Sequence, residues 1–158
     1  MTENDAVASN TYTYSYDAFN RLTQAGITSG TGTSYTYSYD SNGNMTRKIA
    51  GSSTTSYAFN AADELCWAYS GSSSNSCSSA PTGATTYTYD FNGNETGNST
   101  GGLFSYNPKN QTTAITFGGT TLSPLIYSGT DQTQRTGAGS TATRQRAIRG
   151  SAVDQWRH

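Results

Sequence analysis

The chain has 158 residues and a formal net charge of −1, with 12% charged and 32% apolar residues. That length suits one domain able to bury a core, and the sparse, balanced charge excludes the usual composition of a disordered chain. Twelve of the apolar residues are tyrosines; tyrosine and threonine both fit a pleated, half-buried surface, so the expected class is all-β.

In chain order, residues 1–11 read as a lead-in. Their start, "MTENDAVASN", lacks the charged-then-apolar pattern of a signal peptide, which implies a chain that stays inside the cell or a piece of a longer polypeptide. From residue 12 one phrase recurs: "YSYDAFNRLT" (14–23), "YSYDSNGNMT" (37–46), "YAFNAADELC" (57–66), "YTYDFNGNET" (87–96), "FSYNPKNQTT" (104–113) and a degenerate "LIYSGTDQTQRT" (125–136). The anchors Asp17, Asp40, Asn60, Asp90, Asn107 and Ser128 are 23, 20, 30, 17 and 21 residues apart. The array spans 12–136, and an insertion at about 66–80 accounts for the long step.

Each phrase predicts a hairpin. Tyr12, Tyr14 and Tyr16 share one strand face, as do Tyr35, Tyr37 and Tyr39, and Tyr87 with Tyr89, because side chains alternate with period two. Serine and threonine take the other face. Asp17, Asp40 and Asp90 supply the short acceptor that starts a turn. Asn42-Gly43 and Asn92-Gly93 are two-residue hairpin signals, since both residues tolerate positive φ. A strand such as 44–49 then returns. With few aliphatics, the rings must supply most of the buried area and stack across neighbouring strands, at about 0.2–1 kcal/mol per pair. Six hairpins make about twelve strands, a ribbon that curls and leaves open edges able to recruit further chains.

Cys66 and Cys77 enclose the Ser/Gly-rich "CWAYSGSSSNSC". An even count in such a loop suits a disulfide in an oxidising compartment, with two free thiols as the alternative; Trp67 is expected to cover the bridge. From Arg135 on there are five arginines and one acid. The basic tail, 137–158, reads as a solvated end, with nucleic acid or anionic lipid as the alternative partner.

The phrase "Y-x-Y-D-x-x-G-N-x-T" resembles the YD repeat of the Rhs (rearrangement hotspot) family, which includes teneurins and the cocoon components of Tc toxins. The resemblance covers residues 12–136 and is most specific in "YSYDSNGNMT" and "YTYDFNGNET". It implies hairpins joined edge to edge in one curved sheet, a section of hollow shell. It also implies a secreted or cell-surface location and a structural wall enclosing a toxin or displaying a surface. The family's autoproteolytic core motif is not found here.

Chemistry finds little footing. The single histidine is His158, so no Ser-His-Asp or Cys-His arrangement and no His-containing metal cluster can be built. "DSNGN" (40–44) and "DFNGN" (90–94) echo calcium loops but lack the closing glutamate of an EF-hand, and the Asn-Gly turn accounts for both. The sequons at Asn44, Asn94, Asn98 and Asn110 fit a Thr-rich repeat. The expectation is a non-enzymatic chain with no catalytic residues, metal or cofactor, no nucleic-acid partner and no membrane insertion. Its partners are further YD repeats or copies of itself at open sheet edges. Two alternatives are a carbohydrate-binding module using the tyrosine stripes and a self-assembling β-edge polymer subunit.

Overall fold

A computed structural model describes residues 2–5, 10–128 and 134–138. These form two units, one within 1–100 and one within 101–158, and contain strands and turns but no helix. Residues 139–158, with most of the basic tail, lie outside the described residues, as do 129–133 of the sixth repeat.

The first unit is an antiparallel meander of nine strands: β1 (Thr2–Asp5), β2 (Asn10–Tyr16), β3 (Leu22–Ser29), β4 (Tyr35–Tyr39), β5 (Met45–Ala50), β6 (Ser53–Phe59), β7 (Leu65–Ser70), β8 (Thr85–Tyr89) and β9 (Glu95–Asn98). Each strand pairs with the next in chain order. The stretch read as a lead-in therefore holds a paired strand, with Glu3 opposite Tyr12, and the returning strand of the second hairpin runs 45–50. The insertion begins later than expected, because Cys66 belongs to β7 and the loop occupies 71–84.

Alternation is as the period dictates: in β4 and β8 the tyrosines are half-buried and Thr36, Ser38, Thr86 and Thr88 are exposed. The strand registers do not set ring directly against ring, however. In the registers of the described strands no aromatic opposes another. The strand tyrosines face small, aliphatic or polar residues of the neighbouring strands, so Tyr14 and Tyr35 both face Ala25, which is buried between them. Rings stack along the strand instead, Tyr12 on Tyr14 and Tyr35 on Tyr37, each with centroids 6.4 Å apart.

The tightest packing lies on the opposite, Ser/Thr face. Ser56, Ala58 and Trp67 are 0% exposed, with Ala58 and Thr86 flanking Trp67 in register. Loop 71–84 covers them. Ser56 Oγ donates to Gly71 O (2.7 Å) and accepts from Ser73 N (3.2 Å), and Trp67 Nε1 donates to Ser76 O (2.9 Å). A disulfide joins Cys66 to Cys77, Cα atoms 5.4 Å apart. The bridged loop meets the Trp67 indole at Ser76, the residue before Cys77.

The second unit pairs β10 (Leu103–Tyr106), β11 (Thr112–Phe117) and β12 (Thr120–Leu122) in that order, and separately β13 (Leu125–Ser128) with β14 (Gln134–Ala138). β11 and β12 are joined by Gly118-Gly119, both at positive φ (56° and 77°). The two-residue turn that needs positive φ twice thus falls here and not at the Asn-Gly pairs.

Candidate functional site

The repeat's chemistry is concentrated at its turns. Asp40 N donates to Asn44 O and Gly43 N to Asp40 O, and Gly43 takes φ of 99° whereas Asn42 does not have positive φ. This is a three-residue loop, a type I turn followed by one left-handed residue, rather than the two-residue Asn-Gly turn. The same pair of backbone bonds closes 17–21, 60–64, 90–94 and 107–111. The fourth position is left-handed every time: Asn20, Asp63 and Asn110 in the copies without glycine there, Gly43 and Gly93 in the others.

The anchor side chain fixes each loop. Oδ1 of Asp17, Asp40, Asn60, Asp90 and Asn107 accepts the backbone N–H groups two and four residues on. The anchor's other polar atom then selects the residue four positions later. An aspartate anchor needs a donor there, and meets Arg21, Asn44 and Asn94. An asparagine anchor presents an NH2 group and meets an acceptor, Glu64 (2.6 Å) or Gln111 (2.7 Å). We expect Asn60→Asp to lose about 1–2 kcal/mol by setting a carboxylate against Glu64. The double change N60D/E64N should recover most of this, because Asp40 with Asn44 already makes that pair. A urea-unfolding double-mutant cycle reads the coupling; additive single effects would refute the pairing rule.

One residue past each turn pair the register slips. Tyr39 faces Met45 while Ser38 faces Arg47, leaving Thr46 as a bulge. Thr23, Cys66, Thr96 and Thr113 occupy the same place. A bulge leaves a ladder carbonyl short of a donor, and the hydroxyls of Thr23 and Thr46 donate to Ser15 O and Ser38 O. The final threonine of the phrase is thus a bulge residue, and only the third copy replaces it, with the disulfide cysteine.

Neighbouring hairpins are tied through the same positions. Tyr39 Oη donates to Leu22 O (2.8 Å) and Tyr89 Oη to Leu65 O (3.1 Å); within the second unit Tyr127 Oη donates to Thr112 O (2.9 Å). Each is the aromatic just before the anchor, reaching back to the fifth residue after the previous anchor. In the first unit the four turns lie at one end of the sheet, as a meander requires. Arg21 links the first two: Nε bonds Asp17 (2.7 Å), one terminal N–H reaches Asp40 O (2.9 Å), and its guanidinium carbon stands 4.7 Å from the Tyr39 ring centroid. Asn42 and Asn44 both donate to Asp63 of the third turn. Between the third and fourth lies a cleft of about 400 Å³, lined by Asn60, Glu64, Tyr87, Thr88, Tyr89, Asp90 and Phe91.

The turn bonds set the carboxyl acidities. The Arg21 backbone N–H, helped by its guanidinium and by Phe19 N–H, holds Asp17 below its ordinary value against the opposing effect of burial. Burial is the largest single influence on Asp40 and raises it, but donors from Asn44, Asn42 and Gly43 together outweigh it, so the net direction is down. The Asn94 side chain, then the Asn94 and Asn92 N–H groups, lower Asp90. A carboxyl whose folded pKa lies below its unfolded one contributes stability above the unfolded value and loses it as pH falls through the folded value. The melting temperature should be flat down to about pH 5 and fall below about pH 4. A D17N/D40N/D90N variant should show a shallower fall. A wild-type melt unchanged to about pH 2 would contradict this assignment.

Among the described residues no three His, Cys, Asp or Glu side chains cluster to hold a metal ion, and no helix is long and apolar enough to cross a membrane. Sequence reading found the anchors, the tyrosine strands and both cysteines. It missed the residue four places after each anchor and the bulge threonine, although both are visible in the aligned phrases. In comparisons with known proteins, no family model matches the chain and no curated protein matches it.

Proposed function

We propose that the chain is a non-enzymatic wall segment of a YD-repeat protein of the Rhs type, secreted or at a cell surface, whose partners are further hairpins of the same kind. One observation carries this reading: the same turn is built five times, at 17–21, 40–44, 60–64, 90–94 and 107–111. Its geometry survives even where the phrase is eroded, so what is maintained is a modular scaffold rather than one reacting centre. The disulfide is compatible with an extracellular setting.

Hairpin modules that end in unpaired strands recruit others through free N–H and C=O groups. The three residues of β12 are all exposed. Light scattering behind size exclusion is expected to show species that grow with concentration. Lysines at Thr120 and Leu122, which oppose strand addition, should shift the distribution toward monomer. A sharp monomer at all concentrations, or assembly indifferent to these lysines, would overturn the recruiting-wall reading.

A further inference from the structure

The first unit contains the same inter-hairpin gap more than once, which allows one copy to reveal what another lacks. Between the first and second hairpins, β3 and β4 pair through Gln24–Thr36 and Ala25–Tyr35. Between the third and fourth, β7 and β8 pair through Trp67–Thr86 and Ala68–Thr85. Counted from the anchors these are the same positions. The tyrosine bridge is the same too, Tyr39 to Leu22 O in one gap and Tyr89 to Leu65 O in the other.

The gaps differ in their filling. In the first, the residue four after the anchor is Arg21, whose guanidinium packs over the Tyr39 ring and donates to Asp40 O. In the other, that residue is Glu64, which receives the Asn60 amide and cannot supply a cation. Its Oε1 instead lies beside the fourth turn, 3.5 Å from where a Cβ on Gly93 would stand. What remains is the cleft of about 400 Å³ carrying Tyr89, Asp90 and Glu64 on its walls, with a fully exposed Phe91 on its lining. Among the described residues no lysine or arginine forms an ion pair with Glu64 or Asp90.

We propose that this cleft binds the guanidinium of an arginine side chain supplied by another polypeptide segment, in the place that Arg21 occupies in the first gap. The chemistry suits arginine above lysine. A planar guanidinium can lie on an aromatic face and still donate edge-on to a carbonyl or carboxylate, whereas an ammonium is a compact, strongly hydrated point charge. Each gap carries two carboxylates, Asp17 and Asp40 in the first and Glu64 and Asp90 in the other, but only the first contains its own cation, Arg21, which favours a cation arriving from outside in the second.

The test is an amide-shift titration of the full-length chain with N-acetyl-arginine methylamide. Saturable shifts are expected at Glu64 and from Tyr87 to Phe91, with the lysine analogue binding about tenfold more weakly, the equivalent of one lost guanidinium stacking contact. The variant N60D/E64R copies the Asp17–Arg21 pair into the third turn. It should melt no lower than wild type and lose the response. Replacing Arg144, Arg146, Arg149 and Arg157 with glutamine separates two sources. Shifts at the same amides without ligand would assign the occupant to the chain's own arginines, and an unchanged spectrum would assign it to a separate polypeptide. Absence of saturable shifts, an equal response to the lysine analogue, the same shifts from neutral sugars, or an undiminished response in N60D/E64R would each overturn the proposal.

Discussion

Trp67→Ala is expected to destabilise the first unit by about 3–5 kcal/mol, the usual cost of emptying the site of a buried tryptophan. Among the described residues Trp67 is the largest side chain buried completely, with Ser56 and Ala58 also at 0% exposure. The change removes the ring between Ala58 and Thr86 and leaves Ser76 O without its indole donor. For a unit of this size the melting temperature should fall by more than about 10 °C. Trp67→Phe keeps most of the apolar area but not the N–H, and should cost about 1–3 kcal/mol. Thermal and urea unfolding of both variants decides the matter. A Trp67→Ala protein within about 1 kcal/mol of wild type would mean that the tyrosine face, not this one, carries the core.

That experiment bears directly on what could be read from the residues. Period-two alternation placed the tyrosines on one face, and they lie there, yet they are only half-buried and Tyr16 is 51% exposed. The strand pattern states which residues share a face but not what covers it. Coverage of the Ser/Thr face comes from loop 71–84, whose return onto Trp67 depends on contacts such as Asn75 Nδ2 with Thr46 O and Tyr57 O, 29 and 18 residues away. No local pattern encodes those.

The turns were legible to a different degree. An anchor aspartate is a local signal, and the structure uses it locally. The Asn-Gly pair suggested the wrong loop because Gly43 alone needs the left-handed conformation, and Asn20, Asp63 and Asn110 supply it equally well in other copies. Complementarity between each anchor and the residue four places on was present in the aligned phrases as Asp with Arg or Asn, and Asn with Glu or Gln. It becomes readable once one oxygen of the anchor is known to be spent on two backbone N–H groups. The sequons at Asn44 and Asn94 follow from the same geometry: each asparagine pairs with its anchor, and the threonine two places later is the bulge. The cleft was not legible at all, because it depends on which side chain of one hairpin faces the next.

The second large effect is expected from the disulfide. Cys66 and Cys77 are 11 residues apart, and closing a loop of that length limits the unfolded chain by about 3 kcal/mol in the chain-entropy account. Cys66 stands where Thr23, Thr46, Thr96 and Thr113 stand in the other copies, so C66T/C77S removes the bridge while restoring the repeat's own bulge residue. The turn at 60–64, held by Asn60 and Glu64, should therefore survive. Loop 71–84 should lose amide protection, and Trp67 should shift its emission toward that of a solvated indole. Because bridge and indole hold the same loop, Trp67→Ala in the C66T/C77S background should cost less than the sum of the separate losses, by about 1 kcal/mol or more. A reduced protein that melts like the oxidised one would contradict this. Strict additivity would mean that the loop seals Trp67 without its staple, and that the cysteine replaced the bulge threonine with no consequence for the core beneath it.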